Sequence, residues 1–206
     1  MQMQEKIIIT ISREFGLGGR KIVQDFSKKL NIPLYDTDLI DMTAQRLGVD
    51  KGSLHDDEED LSKDDVGRLL DQFGYGSTLK FYSRAAINVQ GDIIREIAEK
   101  GDAIFFGRCS DYYLQDDFPS LNIFLYAPLE ERIRHIESEY SLTRKKAERL
   151  VKRVDNQRHN YYKYVTGVNR GDRSHNNIML DVHCFGPEGT VDMMMAAVRN
   201  RFHLGI

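Results

Sequence analysis

The stretch "IIITISREFGLGGRKI" at 7–22 constrains the fold more than any other part of the chain. Ile7, Ile8, Ile9 and Ile11 form a β-branched run with only Thr10 between them. A run without polar alternation suits a strand covered on both faces, as inside a parallel sheet. Gly16, Gly18 and Gly19 then interrupt it, and the amphipathic pattern Ile22, Phe26, Lys29, Leu30 follows. A buried strand, a glycine turn and a helix form the start of a βαβ unit, because parallel strands require a crossover.

The same alternation recurs. Further strand candidates are "PLYD" at 33–36, "AIFFG" at 103–107, "NIFLYA" at 122–127 and "NIMLDV" at 177–182. Helical faces lie between them. Ile93, Ile94, Ile97 and Ala98 make one, stopped by Gly101; Leu129, Ile133 and Ile136 mark another. Pro187 opens the last, with Val191, Met194, Met195 and Val198 on its apolar face. The pattern predicts a doubly wound α/β domain. Two stretches break the rhythm: 50–90, with "HDDEEDLSKDD", "GYGS" and a helical run near 78–90, and the basic segment at 144–164.

Composition narrows the function classes. A length of 206 residues with 41% hydrophobic and 30% charged content fits one globular domain with a full core. No apolar run approaches the ~20 residues of a membrane-spanning helix. "MQMQEK" at the start lacks the apolar region of a secretory signal. Cys109 and Cys184 have neither disulfide-framework nor zinc-ligand spacing, so a reducing cytoplasm is expected. A net charge of −3 offers no general basic footprint for nucleic acid, so any anion site must be local.

The glycine turn is such a local candidate. Glycines let backbone amides approach an anion closely, and the following helix dipole favours negative charge. In a phosphate-binding P-loop the last glycine precedes a lysine that reaches the β/γ-phosphates and a Ser/Thr that holds Mg²⁺. Here two registers are open. With Gly18 before the lysine position, Gly19 takes the lysine's place and Lys21 falls near the hydroxyl's; with Gly19 there, Arg20 replaces the lysine and Lys21 the hydroxyl. Either way the metal-binding hydroxyl is absent and two cations follow the glycines. Arg20 can clamp phosphate oxygens in the lysine's stead, with Gly16, Leu17, Gly18, Gly19 and Lys21 forming the rest of the cradle. A turn without a ligand fits the spacing alone equally well.

Other charged residues fall at informative places. Arg108 and Asp36 sit at the C-terminal ends of strand candidates, the edge at which open α/β sheets bind ligands. Asp111 is the nearest carboxylate to Arg108; a surface role suits it as well as contact with Mg²⁺ or an acceptor hydroxyl. Asp38 is placed to cap a helix starting near Leu39. In "RKKAERLVKRVDNQRHNYYKY", Lys145, Arg149 and Arg153 share a helical face, Arg158 follows one turn past Val154, and Asp155 stands ready to orient the guanidinium groups. Cations of this kind can close over a transferring phosphoryl group. A solvated basic helix is the plainer alternative. Tyr161, Tyr162 and Tyr164 admit RNA stacking, which the net charge disfavours. His183 is expected to be at most a polar contact, and Cys184 a small buried hydrophobe.

Taken together, "ITISREFGLGGRKI", "LNIPLYDTDLI", "IIREIAEKGDAIFFGRCSDYYL", "NIFLYAPLEERIRHI", "KRVDNQRHNYY" and "NNIMLDVHCFGPEGTVDMM" resemble the cytidylate kinase-like family. This is a variant branch of the P-loop nucleoside monophosphate kinases, in which "SREFGxGGR" itself stands where ordinary cytidylate kinases carry lysine and threonine. The resemblance covers most of the chain except roughly 50–90. It implies a P-loop NTPase-type three-layer fold: a five-stranded parallel sheet, an acceptor-binding insert at about 50–90 and an arginine-rich lid at about 138–172. The core is then 5–49, 91–137 and 173–206, with the acceptor bound within 36–92. The implied activity is transfer of the ATP γ-phosphoryl to a nucleoside monophosphate such as CMP or dCMP. Arg20, Arg153 and Arg158 would act on the transferring group, Arg108, Asp36 and Asp111 would lie at the acceptor, and Mg²⁺ would be held mainly through the nucleotide. The alternatives are a nucleotide- or phosphate-binding module that has lost transfer, and a kinase with a non-nucleotide acceptor.

Overall fold

The computed structural model describes residues 6–49 and 84–204. The acidic run and "GYGS" of the expected insert lie outside the described residues. Strand β1 (Ile8–Arg13) leads through the glycine turn into helix α1 (Gly19–Leu30). Strand β2 (Leu34–Tyr35) and helix α2 (Asp38–Leu47) follow. After the undescribed segment come α3 (Arg84–Lys100), β3 (Ala103–Phe106), α4 (Ser110–Leu114) and β4 (Leu121–Tyr126). Helices α5 (Leu129–Tyr140) and α6 (Arg144–Thr166), a 3₁₀ turn (Arg173–His175), β5 (Ile178–Asp181) and α7 (Val182–Phe202) complete the chain.

All four strand pairings are parallel, and the order is β2-β3-β1-β4-β5. The expected α/β fold with a five-stranded parallel sheet is what forms. Each predicted strand appears within one or two residues of its expected place. β1 is central, and its alternate residues feed opposite faces. Ile9 and Ile11 pack with Ile22 and Phe26 of α1 and with Met194 and Val198 of α7. Ile8 joins Phe105 and the α2–α3 residues Leu39, Ile40, Ile93 and Ile94 on the other face. A third, smaller core holds α5 to α6 through Ile133, Ile136, Leu150, Val151 and Val154, and Phe15 from the glycine turn enters it.

Three local expectations are corrected. Asp38 does not cap α2: it is the first helical residue, behind Thr37, and with Asp41 it meets the positive end of the helix dipole. Leu129 lies 37% exposed, because α5 turns its first residue outward and buries Ile133 and Ile136. Cys184 is exposed, because it sits in the first turn of α7, where Asp181 accepts hydrogen bonds from the amides of His183 and Cys184. A non-helical Gly186 interrupts that helix, and Pro187 opens its long continuous part as expected.

Phe26 is fully buried between the sheet and α7. Replacing it with Ala is expected to cost about 3–5 kcal/mol of stability, read from urea unfolding midpoints.

Candidate active site

A cleft of roughly 620 Å³, open in part to solvent, lies at the C-terminal ends of β1, β2 and β3. Five arginines line it: Arg13, Arg20, Arg108, Arg158 and Arg170. Among the described residues Asp36 is the one carboxylate that lines it, and Tyr161, Tyr162 and Cys109 complete the polar wall with Ser12 and Thr37.

Backbone geometry aims these side chains. After β3, Gly107, Arg108 and Cys109 all take positive φ, at 84°, 61° and 56°. Two non-glycine residues in this region cost about 1–3 kcal/mol each, and such strain clusters at binding sites. Here it turns the chain sharply so that Arg108 faces the cleft. On α6, Arg158, Tyr161 and Tyr162 continue the stripe begun by Leu150, Val151 and Val154, so one helix face serves both core and cleft. Tyr161 Oη donates to Gln90 Oε1 of α3 at 3.2 Å, and Tyr162 Oη donates to Asp111 Oδ2 of α4 at 2.6 Å. Asp111 therefore stands behind the cleft and positions a lining tyrosine. Burial raises its pKa, against the lowering effect of the Tyr162 hydrogen bond.

The charges are poorly balanced. Arg20 Nε lies 2.8 Å from Asp36 Oδ2, which joins the two sequence candidates in one ion pair. Burial pushes the Arg170 pKa down to about 10, helped by repulsion from Arg158. Its Nη2 is buried without a hydrogen-bond partner among the described residues. Burial likewise lowers the Arg108 pKa, and Arg158 adds repulsion there too. An entering anion would offset both the desolvation and the mutual repulsion.

Beside the cleft, the glycine turn is fixed from below. Arg132 of α5, 6% exposed, donates through Nε to Ala127 O at 3.0 Å and through Nη1 to Phe15 O at 3.0 Å. The same guanidinium meets Glu14 Oε2 at 3.1 Å and Asp155 Oδ2 at 2.5 Å. Asp155 also accepts from the Phe15 amide at 2.9 Å and lies 3.9 Å from Arg170 Nη1; the guanidinium groups it meets here are those of Arg132 and Arg170, whereas the sequence predicts that it orients Arg153 and Arg158. Burial raises the Glu14 pKa, partly offset by the Ala127 amide and Arg132. Gly16 has φ 89°, and a Cβ there would meet Arg132 O at 3.0 Å, so a side chain at this position would spoil both conformation and contact.

The remaining sequence candidates fall elsewhere. Gly16, Leu17, Gly18, Gly19 and Lys21 do not line the cleft; Lys21 Nζ bonds Asp25 on the exposed side of α1 at 3.0 Å. Arg153 is not a lining residue, since five residues separate it from Arg158 and turn it about 140° around α6. His183 is exposed, 3.7 Å from Glu131. Among the described residues no group of three or more His, Cys, Asp or Glu is placed to hold a metal ion. Sequence reasoning missed Arg13 and Arg170. Arg13 lies inside the quoted "SREFG" but reads as the strand's last residue, and Arg170 sits in "GVNRGDR", where no periodicity signals its burial.

Residues 8–183 match the cytidylate kinase-like family. The chain belongs to that family. A cytidylate kinase of Methanopyrus kandleri is 29% identical over 112 residues, spanning 50% of this chain and 58% of that protein. The match thus covers little more than half of that relative's length. A crystal structure of an uncharacterized protein from Eubacterium ventriosum aligns with TM-score 0.67 at 23% identity, covering 95% of this chain and 99% of that one. Shikimate kinase from Bacteroides thetaiotaomicron aligns with TM-score 0.53 at 13% identity, over 94% and 98% of the two chains. At these identities the likeness is one of fold.

Asp155→Ala removes partners of a buried guanidinium and of the Phe15 amide. It is expected to lower stability by about 1.5–3 kcal/mol, measured by urea unfolding. Tyr162→Phe leaves the Asp111 carboxylate buried without its phenol. A raised folded-state pKa means that the native protein holds its proton to higher pH than the unfolded chain, so this group's contribution to stability falls as pH rises. Losing the phenol raises that pKa further. The stability deficit of Tyr162→Phe should therefore grow as pH rises through the Asp111 folded-state value and shrink below it, as thermal melts across pH would show.

Proposed function

We propose that this chain is a nucleotide kinase that moves the γ-phosphoryl of ATP to a nucleoside monophosphate, with CMP or dCMP as the favoured acceptor. The observation that carries this is the cleft, whose described lining residues include five arginines and one carboxylate, at the ligand-binding edge of a parallel five-stranded sheet. Family membership supports the reaction class, and the cytidylate kinase relative supports the choice of base. Phosphoryl transfer needs positioning and charge stabilisation rather than a protein nucleophile, and a ring of guanidinium groups supplies both. In this reading Arg108 and the Arg20–Asp36 pair hold the acceptor. Arg158 and Arg170 close over the transferring group from α6 and the turn after it. The amides of the glycine turn face the donor phosphates, and ATP brings Mg²⁺ on its own oxygens.

A second reading is a nucleotide-binding module without transfer. It is favoured by Gly19, at which the helix opens where a P-loop carries its lysine. One experiment separates the two: ADP formation from ATP and Mg²⁺ over a panel of nucleoside monophosphates, alongside shikimate. Turnover on CMP or dCMP, reduced about 100-fold or more in kcat/KM by Arg108→Ala, is expected. ATP binding without turnover on any acceptor would favour the module.

A further inference from the structure

The kinase reading leaves one requirement unmet: a cation on the donor phosphates where the P-loop lysine is missing. The helix start selects the register. Gly18 is the left-handed cap of α1 and Gly19 its first residue. Counting G-x-x-x-x-G-K-[ST] back from Gly18 puts the motif's first glycine on Arg13, its lysine on Gly19 and its hydroxyl on Arg20, one residue before the Lys21 expected near that position. A cation thus occupies the position of a glycine, and a glycine the position of the cation.

The packing sets the Arg13 side chain beside the position of the missing lysine. A Cβ built on Gly19, where a lysine side chain would begin, would press on Leu17 Cδ1 at 2.8 Å and lie in ordinary contact with Arg13 Cγ and Phe106 Cζ, both at 3.6 Å. The Arg13 stem therefore passes next to the point from which the lysine stem would start. Its guanidinium carbon lies 3.8 Å from the centroid of the Phe106 ring, a cation–π contact that holds the head group in place. Beyond it, a Cβ on Gly107 would lie 2.3 Å from Arg13 Nη1. Gly107 therefore leaves room for the head group as well as adopting φ 84°. Arg158 Nη1 donates to the Arg13 carbonyl at 3.3 Å, which ties α6 to the same point. Arg20 is committed elsewhere, to Asp36.

We infer that Arg13 does the work of the absent P-loop lysine: its guanidinium, reaching back from the end of β1 over Gly19 and Phe106, contacts the β/γ-phosphates of the donor nucleotide. The inference rests on the kinase reading. In the transfer an acceptor oxygen bonds to the γ-phosphorus as the bond to the β–γ bridging oxygen breaks. ADP departs with that electron pair, and the attacking phosphate oxygen of the acceptor, already ionised, has no proton to lose. Arg13 offsets the charge gathering on the bridging and γ oxygens. A planar guanidinium can do so with two parallel hydrogen bonds.

The test is calorimetric binding of ATP with Mg²⁺, and of AMP as the single-phosphate reference, to the full chain and to Arg13→Gln and Arg13→Lys. Glutamine keeps much of the stem over Phe106 and Gly19 but not the charge. Arg13→Gln is expected to weaken ATP binding roughly 10- to 100-fold while AMP affinity changes less than about threefold. Arg13→Lys should recover only part of the loss, because it restores the charge without the planar fork. Unchanged ATP affinity in Arg13→Gln, or equal losses for ATP and AMP, would overturn the assignment while leaving the kinase reading standing. A wild-type chain that does not bind ATP would overturn both. Thermal melts of each variant identify a loss caused by unfolding, in which case Arg13→Met, which also removes the charge, is judged against wild type by the same criteria.

Discussion

The burial of the Arg132 guanidinium governs the functional half of this molecule. A charge in that position is tolerated only with close partners and satisfied hydrogen bonds. The partners come from three places: Glu14 and the Phe15 carbonyl from the glycine turn, Ala127 from the end of β4, and Asp155 from α6. Satisfying one guanidinium therefore fixes the turn against two helices. It also determines the direction of Phe15, whose ring fills the small core between α5 and α6. With α6 held there, Arg158, Tyr161 and Tyr162 fall on the face that looks into the cleft. The segment expected to serve as a lid is, in this arrangement, a 23-residue helix with a buried apolar stripe of its own.

The cleft shows the opposite economy. Arg108 and Arg170, which burial and repulsion from Arg158 push towards lower pKa, stand in one cleft next to a backbone turn with two strained residues. Such local departures are affordable because the sheet and its two flanking cores supply the stability, and they are expected where a ligand completes the charge balance.

The relation between residues and architecture was unevenly legible. Strands were readable because two-sided burial leaves unbroken apolar runs such as "IIITI" and "AIFF". Helix faces were readable because Ile93, Ile94 and Ile97 repeat at helical spacing. Arg108 and Asp36 were readable as site candidates because strand ends of parallel sheets are ligand-binding edges. Arg153 and Arg158 are close in sequence, yet a separation of five residues sends them to different sides of α6. Asp111 read as a charge near Arg108, but its burial under Tyr162 makes it a support for that tyrosine.

The sequence by itself determined the parallel α/β architecture, the position of the glycine turn and the excess of arginine available to it. Each of these depends on local chemistry: β-branched runs, glycine's freedom at positive φ and the spacing of cations along a helix. Only the tertiary structure decided which arginines meet. Arg13 and Arg170 lie 157 positions apart along the chain, and Arg20 finds its carboxylate across the gap between α1 and β2. Contacts of that kind are set by strand order and by the seating of α6 on the glycine turn, which involve residues far apart in sequence and leave no periodic trace in it.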